Sequence, residues 1–274
     1  MDISGTTRVI AIFGHPVSHS LSPAMHNSAF REMGLDYCYI ALDVLPSELR
    51  AAIEGVRAMD IAGLNITVPH KEAVMPMLDK VDPEASFIGA VNTIVNRSGK
   101  LIGYNTDGRG FMRSLEEESV DVAGKRVLLV GAGGAARAIS WYLAESGSDL
   151  SIYNRTTERA ELLVGDLAIN FKNVRTAEGL EELGEADIVI NSTSLGLKPE
   201  DALPFEPSAL KQDAIVVDLI YRDTPLILEA RKSGHKAING LGMLLWQGVL
   251  ASELWTGHAP PHEHMKNIIF KSLG

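Results

Sequence analysis

Short apolar runs recur along the whole chain and alternate with longer stretches in which apolar residues return every third or fourth position. The first pattern predicts buried strands and the second predicts helices packed on a sheet. Together they predict an α/β architecture. In the first half, residues 9–13, 37–43, 63–68 and 90–96 read as strands, with helices expected over 22–33, 46–59 and 70–78. Arg97-Ser98-Gly99-Lys100 reads as a turn between two short strands. The second half opens at the polar pair Gly124-Lys125, and its strands are expected over 126–130, 150–153, 186–191 and 214–219. A long apolar-striped helix is expected from about Gly242 to Trp255, and a last one over 263–272.

The chain has 274 residues, and at about 100–200 residues per domain that length suits two domains. Residues 1–107 with 243–274 are expected to form one domain and residues 108–242 the other. A hydrophobic fraction of 46% argues against disorder, and no apolar run is long enough to span a bilayer. Asp2 follows the initiator Met with no basic-then-apolar leader after it. Cys38 is the only cysteine, so an intramolecular disulfide is excluded and a cytoplasmic location is expected. A formal net charge of −10 disfavours nucleic acid and anionic membranes as partners. It also means that anionic ligands need local donors, since the long-range field repels them.

One such site is legible in the second half. The strand at 126–130 runs into Gly131-Ala132-Gly133-Gly134-Ala135-Ala136 and then a helical stretch, which is the dinucleotide fingerprint in the context it requires. Gly131 permits the tight turn, Gly133 lets a pyrophosphate approach the backbone, and Ala136 keeps the helix close to the sheet. The exposed N–H groups at the helix start then bind phosphate. The next strand ends in Asn154-Arg155-Thr156, with Arg159 a turn later. An NAD enzyme usually carries an acid there, whereas Arg155 and Arg159 can pair with a 2′-phosphate, so NADP is the expected cofactor. The plainer reading is a pair of surface arginines at the start of a helix.

The first half carries a second polar cluster, Gly14-His15-Pro16-Val17-Ser18-His19-Ser20-Leu21-Ser22-Pro23. Ser22 before Pro23 suits a helix N-cap, which leaves Ser18 and Ser20 unexplained. On an extended loop their hydroxyls would project to one side and could converge on one anion. Asn65 and Thr67 alternate at a strand end, and Lys71 follows at an expected helix start, where the dipole disfavours a cation. Such a violation of a local rule marks a functional candidate, although a solvated surface lysine is the commoner case. Gly89-Ala90-Val91-Asn92-Thr93 and Gly103-Tyr104-Asn105-Thr106-Asp107-Gly108 add further polar groups at strand ends.

With these motifs the chain resembles the NADP-dependent shikimate dehydrogenase family from end to end. The matching segments are SHSLSP, NITVPHK, GAVNT, GYNTDG, GAGGAAR, NRT and NGLGMLLWQ, in that order. The resemblance implies an N-terminal α/β substrate domain joined by the C-terminal helices, and a Rossmann-like NADP-binding domain, with the active site in the cleft between them. It implies Lys71 and Asp107 as the catalytic pair. It implies Ser18, Ser20, Thr67, Asn92, Asp107, Tyr221 and Gln247 as ligands of shikimate. On the cofactor side it implies Gly131, Ala132, Gly133, Gly134, Ala135, Asn154, Arg155, Thr156 and Arg159, with Leu219 and Gly240 lining the nicotinamide end. One segment departs from the pattern: Tyr221-Arg222-Asp223-Thr224-Pro225 is shorter than the family's usual stretch, and the difference bears on the placement of Tyr221.

The implied activity is reversible NADPH-dependent reduction of 3-dehydroshikimate to shikimate in aromatic amino acid biosynthesis. Lys71 would give a proton to the developing alkoxide, while Asp107 would hold Lys71 and a substrate hydroxyl. The partner is then a small molecule, with a homodimer left open. No metal is expected: His15, His19, His26 and His70 lack a completing carboxylate pattern, and His262 and His264 read as surface residues. There is no G-x-S-x-G elbow to make a hydrolase of Ser18-His19-Ser20. Two rival readings stand, a relative that prefers quinate or another cyclic hydroxy acid, and a non-catalytic NADP sensor on the same fold.

Overall fold

A computed structural model describes residues 3–198 and 200–273; Met1, Asp2, Pro199 and Gly274 lie outside the described residues, and with them both ends of the expected substrate domain. The elements in order are β1 (Arg8–Gly14), α1 (Ser22–Glu32), β2 (Tyr37–Asp43), α2 (Leu49–Ala58), β3 (Gly63–Ile66), β4 (Lys80–Val81), α3 (Pro83–Ile88), β5 (Thr93–Arg97) and β6 (Lys100–Tyr104). There follow α4 (Asp107–Glu117), β7 (Arg126–Val130), α5 (Gly134–Glu145), β8 (Asp149–Tyr153), α6 (Thr157–Ala168), β9 (Val174–Thr176) and β10 (Ile188–Asn191). The chain ends with β11 (Ile215–Asp218), α7 (Pro225–Lys232), β12 (Lys236–Ile238), α8 (Leu241–Thr256) and α9 (His262–Leu273). Two compact units contain them, Met1–Thr106 with Leu245–Gly274, and Asp107–Leu244.

The first unit is built on a mixed sheet of order β2-β1-β3-β5-β6-β4. Strand alternation divides its core: Ile10 and Ile12 of β1 point to one face with Phe30, Tyr39 and Trp255, while Ala11 and Phe13 point to the other with Ile53, Val56 and Leu64. Helix α2 is amphipathic, burying Leu49, Ile53 and Val56 at helical spacing. Gly63 has no room for a side chain because Trp255 of α8 lies on β3, where its indole N–H donates to Ile94 O at 2.9 Å.

The second unit is an all-parallel sheet of order β12-β11-β10-β7-β8-β9, the doubly wound arrangement. The chain runs β7, β8, β9 in one direction and returns to start β10 beside β7. That reversal creates a switch point at the carboxyl ends of β7 and β10, where such folds hold ligands. Helix α7 begins on a local signal, Thr224 accepting from Ile227 N–H at 3.4 Å with Pro225 next in line.

Several expected elements differ. No helix spans 70–78: the chain makes turns after His70 and only a short 3₁₀ helix at Met75–Met77. Pro76 is the reason, since it lacks an N–H and would collide with the preceding turn inside an α-helix. Residues 90–92 are loop rather than strand, and β5 starts at Thr93. Ser22 does not cap α1; it is the first helical residue, and its own N–H donates to Ser20 Oγ at 3.3 Å. His264 is not a surface residue but pins α9 to α1, with Nε2 2.6 Å from Ser28 Oγ.

Candidate active site

Strand direction gathers the polar motifs of the first unit at one end of its sheet. β1 and β3 are parallel, with Phe13 opposite Ile66, so the loops after Gly14 and after Ile66 leave side by side. β5 and β6 then run antiparallel, placing Thr93 opposite Asn65 and Tyr104 opposite Thr93. The loop from Gly14 to Leu21, the Thr67–Lys71 turn, the residues before β5 and those after β6 therefore share one sheet edge. The two loops touch: His15 N–H donates to Val68 O at 3.1 Å, and a Cβ on Gly14 would run into Thr67 Cγ2.

Ser18 and Ser20 sit on a turn closed by Ser20 N–H to Val17 O at 3.1 Å, with Val17 buried as its anchor. The loop is thus not extended as the sequence suggests, and the two hydroxyls are presented by a turn. Lys71 lies on the turn after β3 and is partly buried; its carbonyl accepts from Val91 N–H at 2.8 Å, tying it to the Asn92 segment. His70 is buried with Nε2 2.7 Å from Val44 O, which fastens the same turn to the end of β2. Asn92 is 2% exposed, and its Oδ1 accepts from Thr106 N–H at 2.9 Å and from Thr93 Oγ1 at 2.9 Å. Its Nδ2 donates to Thr106 Oγ1 at 3.0 Å, and Thr106 Oγ1 in turn donates to Gln247 O at 3.1 Å. Asn92 and the α8 residue Gln247 are thus joined through Thr106, and Asp107 follows Thr106 in the chain as the first residue of α4.

In the second unit Gly131 occupies the switch point. Its φ of +114° and the crowding of any Cβ by Ser192 require glycine. Gly133 and Gly134 border open space, and α5 starts with no side-chain cap and no acid in its first turn. Its leading N–H groups are therefore suited to an anion. Asn154 Oδ1 accepts from Ala132 N–H at 3.2 Å and its Nδ2 donates to Thr156 O at 2.8 Å, so this residue ties the β7 and β8 turns together. Arg155 and Arg159 are exposed, and neither makes an ion pair among the described residues. Arg137, by contrast, is engaged by Asp166 at 2.6 Å.

The segment after β11 is short but anchored. Asp218 is fully buried; its Oδ1 accepts from Asn191 Nδ2 and Ile220 N–H, both at 3.1 Å, and its Oδ2 from Thr224 Oγ1 at 2.6 Å. Burial pushes the Asp218 carboxyl up, against the pull of those three donors. Asp223 is held by Arg231 at 2.5 Å and Asn239 at 2.8 Å, and Arg222 donates to Leu197 O. These ties leave Tyr221 38% exposed on a fixed turn, beside Leu219, whose carbonyl leaves room only for a glycine at Gly240. Among the described residues no group of three or more His, Cys, Asp or Glu is placed to hold a metal ion.

Three family models match the chain in order: the shikimate dehydrogenase substrate binding domain over residues 12–94, shikimate / quinate 5-dehydrogenase over 114–203, and the shikimate 5′-dehydrogenase C-terminal domain over 240–270. A relative from Geobacillus sp. strain WCH70, named shikimate dehydrogenase (NADP(+)), is 50% identical across 97% of this chain and 99% of its own. The chain belongs to the shikimate dehydrogenase family. A crystal structure of a shikimate dehydrogenase in complex with NADP+ superposes with a TM-score of 0.95 at 45% identity, covering 100% of this chain and 98% of that one. Another, from Thermus thermophilus in complex with NADP(H) and shikimate, gives 0.90 at 38% identity over 97% and 99%. For this member of the family, the sequence reading passed over Tyr39, and named Asn65, Thr93 and Thr106 only as polar residues at strand ends, without a role. The signal available was polar residues at strand positions whose neighbours are apolar.

Proposed function

We propose that the chain catalyses the reversible NADPH-dependent reduction of 3-dehydroshikimate to shikimate, a step of aromatic amino acid biosynthesis. The observation that carries this is the sheet edge of the first unit, where hydroxyls, an amide and one ammonium are supplied by adjacent loops. That set matches a small ring bearing a carboxylate and several hydroxyls. The first unit is accordingly the substrate domain and the second the NADP domain.

The second unit fits the cofactor: the Gly131–Ala135 turn offers room and N–H groups for a pyrophosphate, and Arg155 and Arg159 carry unspent positive charge for a 2′-phosphate. Leu219 and Gly240 line the nicotinamide end, and Thr156 continues the 2′-phosphate loop. NADPH, when bound, supplies the hydride that reaches the carbonyl carbon. Lys71 gives its proton to the oxygen as it becomes an alkoxide, and takes it back in the oxidative direction. Asp107 accepts from Lys71 and from a neighbouring ring hydroxyl, so it orders both. Ser18, Ser20, Thr67 and Tyr221 hold the carboxylate; Asn92 and Gln247 hold ring hydroxyls. With a single cysteine and no disulfide to form, the cytoplasm is the proposed location.

The test is an absorbance assay at the NADPH band. Purified protein with shikimate and NADP+ is expected to produce NADPH, and with 3-dehydroshikimate to consume it. A folded protein that does neither would be the non-catalytic sensor. Far faster turnover of quinate than of shikimate would point instead to the quinate-preferring relative.

A further inference from the structure

The residue that follows Asp107 has no room for a side chain. Gly108 is buried in the first turn of α4, and its helical backbone is one that any residue adopts. What requires glycine is proximity: a Cβ there would lie 2.6 Å from Tyr142 Cε2 and would collide with Ala138 O, both in α5. Arg109, next in line, donates from Nε to the Tyr142 hydroxyl at 2.8 Å. Further along, Gly242 closes on the same helix, where a Cβ would come within 2.8 Å of Ser114 Cβ. Helix α4 is therefore held toward both ends, and its first turn rests on α5 backbone to backbone.

Helix α5 is also the helix whose leading N–H groups follow the glycine turn. Gly134, Ala138 and Tyr142 recur at intervals of four, so they follow one another along a single face. At 1.5 Å per residue, Ala138 lies only about 6 Å along the axis from Gly134. The anion-binding end of α5 and the seat of α4 are thus parts of one rigid element. Asp107 itself stands between two ties. Thr106 before it donates its N–H to Asn92 Oδ1 at 2.9 Å, and Gly108 after it lies on α5. With Thr106 held, any movement of Gly108 away from α5 turns the Asp107 carboxylate about that fixed point.

We propose that Gly108 is a positioning residue for Asp107, its missing side chain letting α4 seat the carboxylate on the cofactor helix. The inference rests on the reading of Asp107 as one of the catalytic pair. A methyl group at position 108 meets a carbonyl that is itself fixed in a helix, so α4 and not α5 gives way. The shift needed is on the order of 1 Å, and a misplacement of that size can cost about a hundredfold in rate. The α5 N–H groups and Arg155 keep their places, so cofactor binding is untouched.

Gly108→Ala is read in a single turnover of shikimate with NADP+ bound, which product release does not mask. The rate of NADPH formation is expected to fall at least about tenfold, with the Kd for NADP+ within about twofold of wild type. A loss of packing alone would not depend on Asp107. In an Asp107→Ala background the same substitution is therefore expected to change the rate less than about twofold, as for groups acting as one unit. A folded Gly108→Ala with the wild-type rate overturns the proposal. So does an equal fold-loss with and without Asp107, or a matching rise in the Kd for NADP+. If Gly108→Ala does not fold, Tyr142→Ala carries the test, since it removes the ring from beside Gly108 and adds no atom. It is expected to slow the single turnover at least about threefold in wild type and not in Asp107→Ala, and an unchanged rate overturns the proposal. An Asp107→Ala variant as fast as wild type overturns the reading of Asp107 itself, a separate result.

Discussion

Lys71 stands on a turn, so the helix-dipole conflict that singles it out in the sequence has no counterpart in the fold; what marks it is its place on an edge of hydroxyls and amides. Replacing it by Ala is expected to lower kcat by at least about a hundredfold with only a modest change in KM for shikimate, as for loss of a general acid. A folded variant, checked by circular dichroism, that keeps more than about a tenth of wild-type kcat would make Lys71 a ligand only. Arg155 is a clearer case, singled out in the sequence and exposed without an ion pair among the described residues. Arg155→Ala is expected to reduce kcat/KM with NADP and spare that with NAD; equal losses would remove it from the 2′-phosphate. In the sequence His26 is only a histidine without a metal-ligand pattern; in the fold it is fully buried. Neither ring nitrogen has a hydrogen-bond partner among the described residues, and burial lowers its pKa to about 3. Since the unfolded chain titrates near 6.5, it binds the extra proton first as pH falls, so stability is full above 6.5 and lost toward 3. Between pH 6.5 and 5 that loss is about 2 kcal/mol, and His26→Phe is expected to abolish it in urea titrations at the two pH values. A variant with the same pH slope as wild type would assign the loss to other groups.

At the level of elements, the long strands and helices were legible because each carries a full period of burial, as in β1, β2, α2 and α8. Short pieces were not: β4, β9 and β12 have two or three residues each, too few to show any alternation. A buried line of hydrogen bonds from Tyr39 through Asn65 to Asn92 escaped for another reason. Its members lie 26 and 27 residues apart and meet only because β2, β1, β3 and β5 are placed side by side. The glycine turn was legible as strand, turn and helix, although the helix starts at Gly134 and not after Ala136, and the fold divides its glycines into two kinds. Gly131 has a positive φ and no space, so Gly131→Ala is expected to destabilise the protein by about 1–3 kcal/mol. Gly133 has φ −91°, ψ −171° and open space, a conformation Ala adopts freely. Gly133→Ala is therefore expected to leave Tm unchanged while weakening NADP at least about tenfold, a loss of about 1.4 kcal/mol, because its methyl meets the pyrophosphate. Thermal melts with and without NADP separate the two, and an unchanged NADP affinity in Gly133→Ala would move the pyrophosphate away from this turn.

For the molecule as a whole, a net charge of −10 repels both shikimate and NADP, so binding depends on where local donors are concentrated. On the proposed assignment most of those donors are divided between the units: Ser18, Ser20, Thr67, Lys71, Asn92 and Gln247 for the substrate in the first, and the α5 N–H groups with Arg155 and Arg159 for the cofactor in the second, which adds Tyr221 to the substrate set. Each unit has its own buried core, Ile10, Phe30 and Trp255 in one and Leu128, Val189 and Val216 in the other. Ligand-induced protection is therefore expected to be local to the unit whose donors a ligand engages. In amide hydrogen exchange, NADP+ alone is expected to slow peptides covering Gly131–Arg137 and Asn154–Arg159. Shikimate alone is expected to slow those covering Gly14–Leu21, Ile66–Lys71 and Ala90–Asn92. At a ligand concentration of about 100 Kd the stabilisation available is about 2.7 kcal/mol, ample for detection in segments that exchange by local opening. Protection of the Gly131 turn by shikimate alone would contradict the division of labour, because that turn offers nothing specific to a ring of hydroxyls. Protection of the Ser18 loop by NADP+ alone would do so equally, and would place a phosphate where the substrate carboxylate is proposed to bind.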